Sequence, residues 1–273
     1  MVGRAVVTHC IDTGDQVFAP AHRELDITDY SAVERSISDF RPDAVINCAA
    51  WTDVDGCELD PPKATLENAV GPENLALACR QSGASLVTIS TDYVFSGRKE
   101  GFYTQRDDAD AISVYGTSKL DGERRAQNAC ARTVVVRSGW IFGPGGKNFL
   151  SRVIELGRRS ERLTAIGDAW GTPTYAVDLA KRLRELAELD LPGLYHVVNS
   201  GEGCTFEEFV REALTEAGID TSRVSAVSMN SLDRPAPRPR NSRLRCLLSE
   251  AVGLRSLPYW KHSLSDFVLS SGA

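Results

Sequence analysis

The chain has 273 residues, 42% hydrophobic and 25% charged, with a formal net charge of −6 at pH 7. That profile fits a soluble globular protein with room for one α/β domain and an appended lobe, and it excludes disordered and fibrous classes. The acidic balance excludes a general nucleic-acid binder but allows a nucleotide held locally by backbone N–H groups and a few cations.

Residues 1–7, MVGRAVV, read as the first turn of a helix with no strand ahead of it. QVFAP (16–20) reads as a strand and SAVERSISDF (31–40) as a helix. DAVINCAA (43–50) is a second strand, its nearly unbroken apolar run expected where both faces are covered. Helical spacing then runs through 61–83 to a Gly stop. SLVTISTDYVF (85–95) is a strand with a polar end, 115–129 a helix, and ARTVVVRSGWIFG (131–143) another strand. Such alternation signals βαβ units and a Rossmann-like, doubly wound parallel sheet, whose ligands sit beyond the carboxyl ends of the strands.

Beyond residue 144 the regularity weakens. Residues 143–148 read as a loop, 148–160 as a helix, 163–175 as short strand and turn, and 177–189 as a helix. LYHVVN (194–199) is one more strand, 205–218 an amphipathic helix, and RPAPRPRNSRL (234–244) a basic, Pro-rich loop. The expected organisation is a nucleotide-binding domain over 1–145 and a mainly substrate-binding portion over 146–273, partly interleaved with the first. The seven cysteines are scattered with no CxxC pair, so they read as reduced thiols. With no apolar run of about 18 residues and no signal-peptide pattern, no membrane is expected and cytoplasm is the default.

The segment YGTSK puts Tyr115 and Lys119 at i and i+4, on one helix face. A phenol with a pKa near 10 is a poor acid–base catalyst at neutral pH, but an adjacent ammonium favours its ionised form. Alone, this spacing describes many surface pairs. Its context carries more: Ser90, Thr91 and Asp92 end the strand just before that helix, where the Thr91 hydroxyl can share a bound carbonyl with Tyr115. NCAAWTDVD ends the preceding strand in small residues that let a cofactor approach the backbone.

The ordered set LDITD (25–29), NCAAWTDVD (47–55), STDYVFSG (90–97), YGTSKLDGE (115–123), VRSGWIFG (136–143), GTPTY (171–175), LYHVVNSG (194–201) and RPRNSRL (238–244) resembles the dTDP-4-dehydrorhamnose reductase family. That family belongs to the extended short-chain dehydrogenase/reductases, and the match spans essentially the whole chain. The resemblance implies NAD(P)H-dependent reduction of the C4 ketone of a dTDP-linked 6-deoxy-4-keto-L-sugar to dTDP-L-rhamnose. In that reading Tyr115 donates the proton, Lys119 holds the nicotinamide ribose and lowers the Tyr pKa, and Thr91 hydrogen-bonds the reacting oxygen. Asp92 and Trp140 match sugar-nucleotide contacts. Asp26 and Ile27 match residues near the adenine, and Ala49, Ala50, Trp51, Thr52, Asp53 and Ile89 match residues lining the dinucleotide. Asn68 matches a support for the central strands, and Arg238 and Arg243 suit a diphosphate. His22 and Arg23, with no acid at 20–23, tilt the cofactor towards NADPH over NADH. Some relatives use a divalent metal such as Mg2+ at a dimer contact, but no compact ligand cluster supports one here, and a homodimer is left open.

Relatives begin with a strand and a GxxGxxG turn, and Gly3 aligns with the last glycine of that turn. The expectation is that Met1 is internal to a protein about 25–30 residues longer, the usual length of a strand and turn. The alternative is a genuinely short, defective or repurposed relative. Two other functions stay open: a non-catalytic cofactor-sensing subunit similar to the methionine adenosyltransferase β-subunit, and a reductase of another nucleotide-linked 4-keto deoxysugar.

Overall fold

The computed structural model describes residues 1–159 and 162–271. In chain order its elements are α1 (Val2–Asp12), α2 (Tyr30–Phe40), β1 (Ala44–Asn47), α3 (Val54–Leu59), α4 (Pro61–Thr65), a π-helical turn (Leu66–Val70), α5 (Gly71–Ser82) and β2 (Ser85–Thr91). Then come α6 (Val114–Ala129), β3 (Thr133–Ser138), β4 (Ile141–Phe142), α7 (Phe149–Arg159), β5 (Leu163–Ile166), β6 (Trp170–Gly171), β7 (Thr174–Tyr175) and α8 (Ala176–Leu189). The chain closes with β8 (Gly193–His196), β9 (Cys204–Thr205), α9 (Phe206–Glu216), β10 (Val224–Val227), α10 (Leu248–Ala251) and α11 (Trp260–Ser271).

Four parallel strands in the order β1-β2-β3-β8 form the main sheet. β3 is buried throughout and β2 nearly so, as their unbroken apolar runs require when helices cover both faces. On one face Val6 and Cys10 of α1 meet Leu179, Leu183 and Leu186 of α8 against Val87, Val134 and Val136. On the other, Val33 and Ile37 of α2 pack with Leu75, Ala76 and Cys79 of α5 and Ala126 of α6 over Leu86. A further core joins α7, α9 and α11 around Phe142, Phe209, Trp260 and Leu264. It is flanked by three two-stranded ladders, β10-β5 and β4-β7 parallel and β6-β9 antiparallel.

The doubly wound reading holds, but several elements differ from expectation. Residues 16–20 form no strand. A strand persists only with a ladder partner, and among the described residues none pairs with this segment or with the outer edge of β1. Phe18 instead packs at a tilt against Phe40 of α2, with ring centroids 5.3 Å apart. The helix expected over 61–83 carries the π turn at its centre. The strand expected over 131–143 breaks at Gly139–Trp140, where Trp140 takes a left-handed φ of +48°. Helices α3, α10 and α11 and strand β10 had no clear periodic signal. The expected helical end at Ser160 lies outside the described residues.

α6 sits unusually close to its neighbours. A Cβ on Gly116 would strike the Tyr93 carbonyl oxygen, and one on Gly122 would strike that of Asn68. Gly122→Ala is therefore expected to lower the unfolding free energy by about 2 kcal/mol through overpacking, read from the denaturant midpoint. An unchanged midpoint would show that α6 can stand further off.

Candidate active site

β2 delivers Ile89, Ser90 and Thr91 to its carboxyl end, and a 3-10 turn over Asp92–Val94 follows at once. The Thr91 hydroxyl accepts from the Tyr93 N–H at 3.1 Å, fixing that turn, and donates to Asp92 Oδ1 at 3.1 Å. Ser113 caps α6 by accepting from the Gly116 N–H at 3.2 Å, and Glu58 of α3 accepts from the Val114 N–H at 2.9 Å. These two caps set the first turn of α6, on which Tyr115 stands.

Tyr115, Lys119 and Thr91 meet at this mouth. Tyr115 is hydrogen-bonded with the Thr91 hydroxyl and lies edge-on to Tyr93, ring centroids 5.9 Å apart. Lys119 is buried, and its Nζ donates to the Ile89 carbonyl at 2.7 Å. Burial raises the Tyr115 pKa above the ordinary phenol value; the Thr91 hydrogen bond opposes this and the Asp92 and Tyr93 charges add to it. The expected lowering by Lys119 is not the controlling effect, since its ammonium is turned to the strand carbonyl. Lys119 itself is pulled down to about 8, burial outweighing the favourable charge of Glu123.

Asp92 completes the mouth. It is buried, its Oδ2 has no hydrogen-bond partner among the described residues, and Gly139 leaves room for the carboxylate, which any Cβ there would strike. The hydroxyl of Ser138, which faces Thr91 across the β2–β3 ladder, is likewise buried and unpartnered. Trp140 follows, its ring stacked on Phe206 at 3.7 Å and seated against Gly171, where a Cβ would collide with the indole.

The residues expected to line a dinucleotide run along the ends of β1 and β2. Ala49 is exposed and Ala50 half-buried, and the Ala49 N–H donates to Asn47 Oδ1 at 3.0 Å. Trp51 is clamped by Asn68, whose Oδ1 accepts from the Trp51 N–H at 2.9 Å and whose Nδ2 donates to the Trp51 carbonyl at 3.0 Å and the Ser118 hydroxyl at 3.2 Å. Thr52 and Asp53 are exposed, and Asp53 caps α3 by accepting from the Gly56 N–H at 3.0 Å. Asp26 is exposed and accepts from the Thr28 N–H at 2.9 Å. Ile27 is buried against Gly71, and its carbonyl accepts from Asn74 Nδ2 at 3.0 Å. Gly3 lies in the first turn of α1, where no side chain caps the helix, and helix N-terminal N–H groups of this kind suit an anion.

The late basic loop is partly committed. Arg238 forms a bidentate pair with Asp55 of α3 at 2.8 and 2.7 Å, which holds that carboxyl down at about 2. Arg243 stacks over Phe102 at 5.4 Å and Trp170 at 4.9 Å, and its Nε donates to Asn241 Oδ1 at 2.9 Å. Neither guanidinium is brought to Tyr115 or Lys119 by any of these contacts. Sequence reasoning missed Tyr93, Ser138 and Gly139, whose places at the mouth arise from long-range packing. Gly139, directly before the retained Trp140, was the one local signal.

A phenol, an ammonium and a hydroxyl meet at a parallel-strand mouth, beside two polar atoms with no partner among the described residues; this is the arrangement expected of a short-chain dehydrogenase/reductase, and the donor set fits a dinucleotide and a carbonyl substrate. The chain belongs to the dTDP-4-dehydrorhamnose reductase family: the family model described as RmlD substrate binding domain matches residues 1–271. A dTDP-4-dehydrorhamnose reductase of Streptomyces griseus is 38% identical over 272 residues, covering 97% of this chain and 89% of that protein. The crystal structure of a Clostridium acetobutylicum dTDP-4-dehydrorhamnose reductase superposes with a TM-score of 0.95 at 34% identity, covering 100% of this chain and 96% of that one. That of the Bacillus anthracis enzyme in complex with NADP gives 0.95 at 32%, covering 98% and 95%.

Burial outweighs the Thr91 and Ser242 hydrogen bonds and lifts the Asp92 pKa from 3.8 to about 6. A raised carboxyl contributes stability that is present below pH ~4 and lost as pH rises through about 6. Asp92→Asn is thus expected to be more stable than the parent at pH 8 by on the order of 2 kcal/mol, with the gap closing near pH 4. Equal unfolding free energies at pH 8 would refute this.

Proposed function

We propose that this protein reduces the C4 ketone of dTDP-4-dehydro-6-deoxy-L-mannose to dTDP-L-rhamnose with NADPH. The observation that carries the reading is the convergence of Tyr115, Thr91 and Lys119 at the end of β2. The family membership and the NADP complex of the Bacillus anthracis relative support it. NADPH, when bound, supplies the hydride.

Tyr115 retains its proton at neutral pH because burial disfavours the phenolate, so it is a ready donor to an alkoxide developing at C4. Thr91 offers a second donor to the same oxygen, released from Asp92 Oδ1 by rotation of its hydroxyl. Lys119 presents a charged ammonium to the nicotinamide ribose, and its charge also favours the phenolate that Tyr115 becomes. Asp92 and Trp140 orient the sugar, the indole held by Phe206 and Gly171. Trp51, Asp53, Asn68, Ala49, Ala50 and Ile89 line the dinucleotide, Asp26 and Ile27 border the adenine, and Gly3 faces the pyrophosphate. Arg238 and Arg243 bound the diphosphate side of the sugar nucleotide, Arg238 only if it exchanges or shares Asp55. Residues 1–145 carry the cofactor together with Thr91, Asp92 and Trp140 at the sugar, and 146–273 form the mainly substrate-binding portion.

Among the described residues no group of three or more His, Cys, Asp or Glu side chains could hold a metal ion, so no step is assigned to one. No helix there is long and apolar enough to cross a membrane, and all seven cysteines are free. We place the enzyme in a reducing cytoplasm on that thiol chemistry.

Tyr115→Phe is expected to lower kcat by 10²–10⁴-fold, the range for loss of a general acid, with NADPH affinity within about threefold of the parent. The check is NADPH oxidation with the 4-keto-L-sugar nucleotide beside a fluorescence titration. No turnover by the parent protein would overturn the reading. His22 and Arg23 are exposed beside the segment 24–29, so Arg23→Ala should cost NADPH about tenfold in affinity, a loss of one charge-assisted phosphate contact, and leave NADH unchanged. Equal losses for both cofactors would remove the phosphate assignment.

A further inference from the structure

One buried charge cluster lies next to the site and has no part in the mechanism above. Glu123 follows Lys119 by one helical turn and Tyr115 by two, so all three share a face of α6. Its carboxylate receives Arg137 of β3 as a fork, Nε to Oε1 at 2.9 Å and Nη2 to Oε2 at 2.7 Å, and also accepts the Ser90 hydroxyl. The side chains are 3% and 7% exposed.

Two features separate this cluster from a structural ion pair. Buried pairs are often matched or bettered in stability by apolar residues of equal volume, so burial of one is weak evidence for a stabilising role. Here the carboxylate stands one helical turn along α6 from a buried lysine, on the same face, and is the leading charge favouring the protonated form of that lysine. Second, Ser90 stands between Ile89, whose carbonyl takes the Lys119 Nζ, and Thr91. The carboxylate thereby holds the residue next to the carbonyl that aims Lys119.

We infer that Glu123, pinned by Arg137 and Ser90, is a positioning residue that keeps Lys119 charged and directed at the end of β2. The other groups around Lys119 do not do this. The Cys48 thiol, after β1, is pushed up to about 12 by burial and is uncharged. Tyr115, on the same helix, is held neutral by burial. Behind Arg137, His196 of β8 is brought down to about 4 by burial and the Arg137 charge, so it too is neutral. Asp92 acts on Tyr115 across the mouth. Two cations and one anion leave the cluster with a single net positive charge, suited to an anionic ligand.

The catalytic meaning of this role rests on the reductase reading, but its test does not. The protein carrying ¹³C-labelled lysine is titrated without added nucleotide, the Lys119 Cε resonance being assigned by its loss in Lys119→Arg. Glu123→Gln is expected to move the Lys119 midpoint down by a unit or more, a tenfold loss of protonated fraction above the midpoint. Glu123→Asp should stay within about half a unit. If Glu123→Gln fails to fold, the double variant Glu123→Gln with Arg137→Met removes the pair as a neutral, similarly bulky set, and the midpoint should still fall. The alkaline limb of the NADPH-oxidation profile should move down in parallel. An unmoved midpoint in the folded variant overturns the inference even where the parent turns over. A shifted midpoint in a parent with no reductase activity upholds it and rejects the reaction instead.

Discussion

The closeness of α6 to the end of β2 is the constraint on which the rest of the site depends. Gly116 and Gly122 let the helix backbone touch the carbonyls of Tyr93 and Asn68. Glycine in a helix interior costs roughly 1 kcal/mol relative to alanine, so two of them are explained by the approach they permit. At that distance a lysine on α6 reaches a strand carbonyl, Ser118 reaches Asn68, and Glu123 reaches Ser90. Tyr115 and Thr91 become neighbours for the same reason. A helix standing off by one methyl group would keep the fold and lose the chemistry.

Burial then gives each group its character. Four ionisable side chains, Asp92, Tyr115, Lys119 and Glu123, are all withdrawn from water. Desolvation favours the neutral forms of Asp92, Tyr115 and Lys119, while the Arg137 fork pairs with Glu123. The C-terminal portion adds shape to this charge pattern. Gly171 and Phe206 hold the Trp140 indole, and the Arg238–Asp55 pair ties the late loop to α3, whose Glu58 in turn caps α6.

The alternation of strands and helices through residue 143 was legible because parallel strands buried on both faces are written as continuous apolar runs. The grouping of Tyr115, Lys119 and Thr91 was legible because helical spacing and a strand end bring them to one place. Residues 16–20 misled because a β-rich composition does not supply a ladder partner. α3 and β10, six and four residues long, are too short to show a period. The Glu123–Arg137 pair joins positions 14 apart and the Arg238–Asp55 pair positions 183 apart. No local pattern announces such pairs, and for Arg238 the sequence suggested a phosphate where the structure supplies a carboxylate.

The π turn at Leu66–Val70 has a bearing on the length of this helical run. An extra residue in one turn shifts the phase of everything beyond it by about 100°, the angle per residue of an α-helix. The α4 and α5 segments therefore belong to different rotational frames, and Asn68 sits at the seam, facing Trp51 and Ser118 while Leu66 faces out. Removing one residue would regularise the hydrogen bonds and at the same time swing the seam away from α6. The irregular turn is thus a phase correction: it lets one continuous helix present a clamp to the site at its start and an apolar stripe to the sheet at its end.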